Sequence, residues 1–313
     1  MKTFAVYFSP CGNVKAVVET MAEAAAEKLG AELKTVDFTL PKARPAQDVQ
    51  ASNCVEDSLQ GAQPRIYSFA EGDLVFFGTP VYAGRVPNKI MPYVRDAFRG
   101  NGAFCAPVVC FGNRSFDDAL SELKLLLEAG GFRTVGAAAV VTQHDFSSLL
   151  ANGRPNRSDL AKIAAFGGSV ADKLISLAAD KSGSIRGAEN ITVSAADPAE
   201  FGSSVTVPGT QSLEAMKYYT PLRTDGQPAK FLKAVPKVKE ERCDRCGKCQ
   251  RVCPMGSIDL KAKGRMTAPC IKCQACIKTC PRGALYFDDP DFLSHVEMLE
   301  QNYTRRAESL FIL

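Results

Sequence analysis

Eight of the twelve cysteines repeat one pattern twice, Cys-x2-Cys-x2-Cys-x3-Cys-Pro. The first copy is Cys243, Cys246, Cys249 and Cys253, followed by Pro254; the second is Cys270, Cys273, Cys276 and Cys280, followed by Pro281. Thiolates at every third position of a tight loop wrap three corners of one iron–sulfur cubane. The fourth, beside a proline, points away and ligates the other cluster. The spacing therefore predicts one 4Fe–4S cluster on Cys243, Cys246, Cys249 and Cys280, and a second on Cys270, Cys273, Cys276 and Cys253. Zinc needs two Cys-x2-Cys pairs across a longer gap and has no use for the third cysteine of each copy. A disulfide framework needs an oxidising compartment, and the start of the chain has no basic, apolar and small-residue succession that would export it. The expected setting is cytoplasmic and reducing.

The elements ahead of these cysteines alternate. Strand patterns occupy 3–8, 32–38, 73–77, 104–111 and 134–141, and helical patterns lie near 13–29, 88–98, 116–130 and 157–178. Gly30 stops the first helix and Gly130-Gly131 the third. Alternation of this kind predicts an α/β fold with a five-stranded parallel sheet covered on both faces, whose ligand sits at the carboxyl ends of the strands.

Three loops leave those ends. Ser9-Pro10-Cys11-Gly12-Asn13-Val14-Lys15 joins a strand to a helix, where backbone N–H groups favour an anion. It lacks both the triphosphate loop and the dinucleotide fingerprint, so a single phosphate fits it best. In Gly78-Thr79-Pro80-Val81-Tyr82-Ala83-Gly84-Arg85-Val86-Pro87 two glycines bracket an aromatic, an arrangement that lets backbone approach a ligand. Gly112-Asn113-Arg114-Ser115-Phe116-Asp117-Asp118 again sets an aromatic near a glycine. Together they describe a pocket for a phosphate joined to a flat ring.

These loops resemble those of flavodoxins. With Gly153-Arg154-Pro155 and the cysteine repeats, the whole chain resembles the fusion family of anaerobic bacteria that joins a flavodoxin-like domain to a dicluster ferredoxin. The resemblance implies FMN. Ser9, Cys11, Gly12, Asn13 and Val14 would hold its phosphate, and Pro80, Val81, Tyr82 and Gly84 with Gly112, Asn113, Arg114 and Phe116 its ring. Cys11 and Val14 stand where the flavodoxin pattern has hydroxyl residues, which removes two phosphate bonds of roughly 1.5–3 kcal/mol each. Arg85 and Arg114 put positive charge where short flavodoxins tend to be acidic, and so favour an anionic reduced flavin. The implied organisation is a flavodoxin-like domain over 1–178, a partly packed connector over 179–235, a small α+β ferredoxin domain over 236–290 and a helical tail over 291–313 that docks on the ferredoxin domain.

Several residues have blander readings. Cys105 and Cys110 read as small core residues, Cys54 as an unassigned thiol, and Cys11 as a spectator beside the phosphate. His144 reads as a surface-loop histidine, and Asp117-Asp118 as acids favoured at a helix N-terminus.

Charge is uneven. From Pro236 to Pro290 there are 12 Lys or Arg against 6 Asp or Glu, while the remainder has 26 against 28. Each oxidised cluster with four thiolates adds about −2, which leaves the loaded module near +2. A basic surround of this kind steers acidic partners. The charges interleave with metal ligands instead of forming a separate basic helix, which excludes nucleic acid. No apolar run reaches the roughly 20 residues of a membrane span. The function expected is electron transfer between two 4Fe–4S clusters and FMN, with another redox protein as donor or acceptor. A reductase acting on a small acceptor such as a quinone is the alternative, as is a cluster-only ferredoxin on an emptied scaffold.

Overall fold

The computed structural model describes residues 1–44, 66–182, 205–262 and 265–313. In chain order the N-terminal part runs β1 (Lys2–Tyr7), α1 (Asn13–Leu29), β2 (Glu32–Asp37), β3 (Tyr67–Ser68), β4 (Leu74–Pro80), α2 (Met91–Ala97), β5 (Phe98–Arg99), β6 (Phe104–Phe111), α3 (Ala119–Ala129), β7 (Arg133–Thr134), β8 (Ala137–Val141) and α4 (Arg157–Ser182). The C-terminal part adds β9 (Lys237–Val238), α5 (Lys248–Val252), α6 (Ala275–Lys278), β10 (Leu285–Tyr286), α7 (Pro290–Asn302) and β11 (Leu310–Ile312).

The main sheet is ordered β2-β1-β4-β6-β8, with β11 outside β8 and β7 paired to the start of β6. Counted over the five long parallel strands this is 2-1-3-4-5, the flavodoxin-like order. Strands β4, β6 and β8 are buried along their whole length, as a sheet covered on both faces requires, whereas β2 at the edge alternates. One core cluster lies under α1 and α4, where Val17, Met21 and Ala25 meet Ile163, Phe166 and Val170. Gly167 makes that crossing close, since a Cβ there would stand 2.2 Å from the Met21 carbonyl oxygen. The opposite cluster gathers Phe38, Phe77, Phe98 and Leu123 together with Val205 and Val207, so the start of the described connector is packed into the core.

Two features differ from expectation. The segment 134–141 is two strands, because the chain steps off the β6 ladder at Val135-Gly136 before β8 rejoins it at Ala138. The tail is helical only to Asn302 and does not dock on the cluster module alone. Helix α7 is capped by Asp289, whose carboxylate accepts from Phe292 N–H at 2.9 Å, and starts with Pro290. Its Phe292 packs on Phe287 of the cluster module, Phe231 of the connector and Phe146 after β8. The chain then returns to the first sheet, where β11 pairs antiparallel with β8. The cluster module is thus held between α4 and a strand of the flavodoxin-like sheet. Three apolar residues at the end of a polar tail are too short a pattern to announce a strand.

Candidate functional site

The carboxyl ends of β1, β4, β6 and β8 open into one cavity of about 590 Å³. The phosphate-type loop contributes Ser9, Pro10, Cys11, Asn13 and Val14, the loop after β4 contributes Pro80, Val81 and Tyr82, and Gly112 follows β6. The cysteine module closes the other side with Cys270, Ile271 and Lys272. Cys11 Sγ donates to the carbonyl of Cys273 at 2.9 Å, so the expected spectator thiol bridges the two halves.

The phosphate-type loop turns at Gly12, whose φ of 88° is left-handed and suits glycine. Ser9 Oγ accepts from Lys15 N–H at 2.9 Å, and the Asn13 side-chain amide donates to the Gln143 carbonyl at 3.2 Å. Among the described residues nothing accepts from the N–H groups of Cys11, Asn13 or Val14. These amides at the start of α1 suit a phosphate. Gly78 serves packing, since a Cβ there would meet Val18 at 2.3 Å and Val14 at 2.7 Å.

Tyr82 is presented by a two-residue turn. Tyr82 and Arg85 exchange backbone bonds of 2.9 and 3.1 Å around Ala83 and Gly84, both at positive φ. Gly84 faces Asp117, not a ligand: a Cβ would lie 2.3 Å from that carboxylate. Arg85 is buried and forms a bidentate pair with Glu122 at 2.8 and 2.5 Å, and Glu122 also accepts from Val86 N–H. Its charge is therefore neutralised and not offered to the cavity, contrary to the sequence expectation. The Tyr82 hydroxyl oxygen is buried and has no partner among the described residues, and burial with neighbouring Cys273 and Asp145 holds its pKa well above the ordinary range.

Asn113, Arg114 and Phe116, expected at the ring, stand behind the lining. Asn113 clamps the tail, donating to the Tyr303 and Arg305 carbonyls and accepting from Ala307 N–H at 3.0 Å. Arg114 pairs with Asp117 and lies 3.8 Å over the Tyr219 ring. Phe116 packs edge-on to Phe111. Asp118 bonds Thr210 N–H at 2.8 Å in place of capping α3. Arg154 pairs with Asp159 and donates to Ala307 O at 2.6 Å. Cys105 is a core residue as expected, Cys110 also reaches the cavity, and Cys54 lies outside the described residues.

The histidines correct the sequence reading. His144 is not on the surface; it lines the cavity, its Nδ1 accepts from Phe146 N–H at 3.0 Å, and burial lowers its pKa to about 4. A Cβ on Gly112 would strike its ring at 2.4 Å, so that glycine makes room for an imidazole. His295 of α7 lines the same cavity, with Nδ1 2.8 Å from the Leu222 carbonyl. With Tyr218, Tyr219, Phe231 and Leu232 it forms a wall from outside the flavodoxin-like unit, invisible to loop-by-loop reading.

In the cysteine module burial raises every shifted thiol pKa, and the neighbours that add to it fall by group. Cys249 is influenced by Cys243 and Cys280; Cys276 by Cys270 and Cys253, then Cys249; Cys273 by Cys11 across the cavity wall and then by Cys276. That arrangement suits thiols spread around two adjacent cubanes, each borrowing one cysteine from the other repeat. Donors already point at the sulfurs: Ser257 N–H to Cys253, Ala284 N–H to Cys280 and Lys272 N–H to Cys270, each at 3.3 Å. Arg265, unremarkable in sequence, lies 3.1 Å from Cys243 Sγ and bonds Glu240. The two repeats face different surroundings. Cys246 is exposed amid Arg242, Arg245, Lys248, Arg251 and Arg282, whereas Cys270 lines the cavity and Cys273 and Cys276 are buried.

Residues 239–285 match the family model of a 4Fe-4S dicluster domain. The chain joins a flavodoxin-like domain to a 4Fe–4S dicluster domain. Among solved structures, it is similar to a flavodoxin from the domain Archaea at 15% identity and TM-score 0.36, over 55% of this chain and 98% of that one. It is also similar to rubredoxin oxygen:oxidoreductase from the anaerobe Desulfovibrio gigas, at 15% identity and TM-score 0.35, over 56% of this chain and 36% of that one. No curated protein matches the chain in sequence. The fold of the first domain rests on its strand order. Among the described residues no helix is long and apolar enough to cross a membrane.

Proposed function

We propose that the protein relays electrons between an external redox protein and FMN through its two clusters. The observation that carries this reading is the shared cavity: Cys270 to Lys272 of the second repeat line the same space as the phosphate-type loop and Tyr82. In this reading Cys243, Cys246, Cys249 and Cys280 hold the outer cluster, and Cys270, Cys273, Cys276 and Cys253 the inner one. FMN, when bound, exchanges single electrons with the clusters and electron pairs with an organic molecule. The amides of Cys11, Asn13 and Val14 bind its phosphate, and Pro80, Val81, Tyr82 and Gly112 flank its ring. Gly12 shapes the phosphate loop, Gly84 turns the Tyr82 loop, and Asn113, Arg114 and Phe116 support the ring site from behind.

The exposed cations around Cys246 suit an acidic partner at the outer cluster. Lys272 and Lys278 are not part of that face, being bonded to Leu232 O and Asp145 at 2.8 Å each. Thiolate ligation fits a reducing, cytoplasmic setting.

A second reading, a reductase of a small acceptor, is favoured by the wall that the connector and α7 raise over the cavity. A plain carrier leaves the flavin edge open to partners. The first test is composition after anaerobic purification. One FMN with eight iron atoms (two clusters of four) is the expected result. Eight iron atoms without FMN, even after incubation with it, would leave a ferredoxin on an emptied scaffold and refute the relay.

A further inference from the structure

The chain has two histidines, and both line the same cavity. Electron exchange between a cluster and a flavin requires no imidazole, so their convergence asks for a second chemistry. His144 follows β8. Its Nδ1 accepts the Phe146 N–H, so in the neutral ring the proton sits on Nε2 and is available as a hydrogen-bond donor. His295 comes from α7, is 5% exposed, and is oriented by Leu222 O at Nδ1 and by stacking on Phe231 at 5.4 Å. With Nδ1–H given to that carbonyl, Nε2 is left to exchange a proton with whatever lies beside it.

The rest of the wall is aromatic. Tyr219 is fixed from behind by Arg114 at 3.8 Å and by its own N–H to Ala83 O at 2.9 Å. The buried Tyr82 hydroxyl has no partner among the described residues. Inside the cavity Asp145 is engaged with Lys278, and Lys272 with two backbone carbonyls; Lys89 lies out at the exposed rim. A flat flank, hydrogen-bonding groups and paired charges select a flat, uncharged molecule with polar ends. Leu232, 93% exposed, stands at the rim with the exposed Asn88 and Lys89.

We propose that this wall is a substrate site for a neutral quinone-type conjugated dicarbonyl, with His295 as its proton donor and His144 as a hydrogen-bond donor to a carbonyl oxygen. The proposal rests on the FMN reading above. Reduction converts two C=O groups to two C–OH groups. It takes two electrons, supplied one at a time by a reduced carrier protein through this chain, and two protons. His295 passes one proton from water through Nε2 to the first carbonyl oxygen, and then a second to the other. His144 keeps its proton throughout.

The test uses the full chain with iron and FMN both quantified, and 1,4-naphthoquinone as probe. Binding to the oxidised protein is followed by perturbation of the flavin spectrum, and naphthohydroquinone formation is followed with a reduced ferredoxin-type protein as donor. Saturable binding is expected. His295→Gln, retaining iron and FMN, should lower turnover on the order of 100-fold. It should also remove the limb of the pH profile that requires a protonated donor, with little change in binding. Tyr219→Ala should weaken binding about tenfold. No saturable binding to protein that contains FMN and both clusters overturns the site while leaving the relay intact. Wild-type rate and pH profile in His295→Gln overturn the role of His295. Absence of FMN from the protein refutes the reading beneath both.

Discussion

At the scale of single residues, burial decides which side chains are chemical. His144 carries the clearest titration consequence. The groups facing it are His295 of α7, Lys278 of α6 and Arg114 after β6; burial lowers its pKa first, and protonation of His295 and the charges of Lys278 and Arg114 add to that. Its folded pKa of about 4 lies below the ordinary 6.5, so between those values the unfolded chain binds the extra proton. Stability is complete above pH 6.5 and is lost as pH falls toward 4, by about 3 kcal/mol in total. His144→Gln should flatten that slope in urea unfolding measured from pH 7 to 4. An unchanged slope would mean that His144 is not buried neutral. The cysteines were legible because a cluster imposes a fixed local spacing. The histidines and Arg265 were not, because their roles come from elements more than twenty residues away in sequence. Arg265 reaches Cys243 across 22 residues, and His295 meets His144 across 151.

At the scale of elements, loops are held by buried ion pairs and by the returning tail. The Tyr82 turn hangs on Arg85–Glu122, whose side chains are 8% and 1% exposed. Removing one partner of such a pair leaves a buried charge and costs about 3–5 kcal/mol. Glu122→Ala should therefore lower stability by that amount in chemical denaturation. It should also loosen the Tyr82 loop and weaken flavin binding. A change below 1 kcal/mol would show that the pair contributes little. Asn113 makes three bonds to the backbone of 303–307, each worth about 1 kcal/mol. Asn113→Ala should cost about 2–3 kcal/mol and open the tail to limited proteolysis near Tyr303. Resistance equal to wild type would contradict the clamp. Strands and helices of the parallel sheet were readable from period and stop signals; α1 spans Asn13–Leu29 as the pattern indicated. The antiparallel β11 was not readable, since three apolar residues acquire meaning only beside the open edge of β8.

At the scale of the whole molecule, the return strand and α7 turn a two-domain chain into one assembly with an inside and an outside. Cys246 of the first repeat is exposed among cations, and the second repeat reaches the cavity through Cys270, Ile271 and Lys272. The relay proposed above then has a polarity to test: electrons entering at the outer cluster would reach the inner one before FMN. The loops pointed to a flavin pocket from sequence, but nothing local in them revealed that its lid is the dicluster domain, because lid and loops are more than a hundred residues apart. Rapid mixing of the oxidised, FMN-containing protein with a reduced acidic carrier protein tests this claim most directly, with cluster and flavin absorbance followed separately. The clusters should bleach first, at a rate proportional to carrier concentration and slowed by salt. Flavin bleaching should follow at a rate independent of carrier concentration. Flavin reduction that precedes the clusters, or scales with the carrier, would contradict the relay.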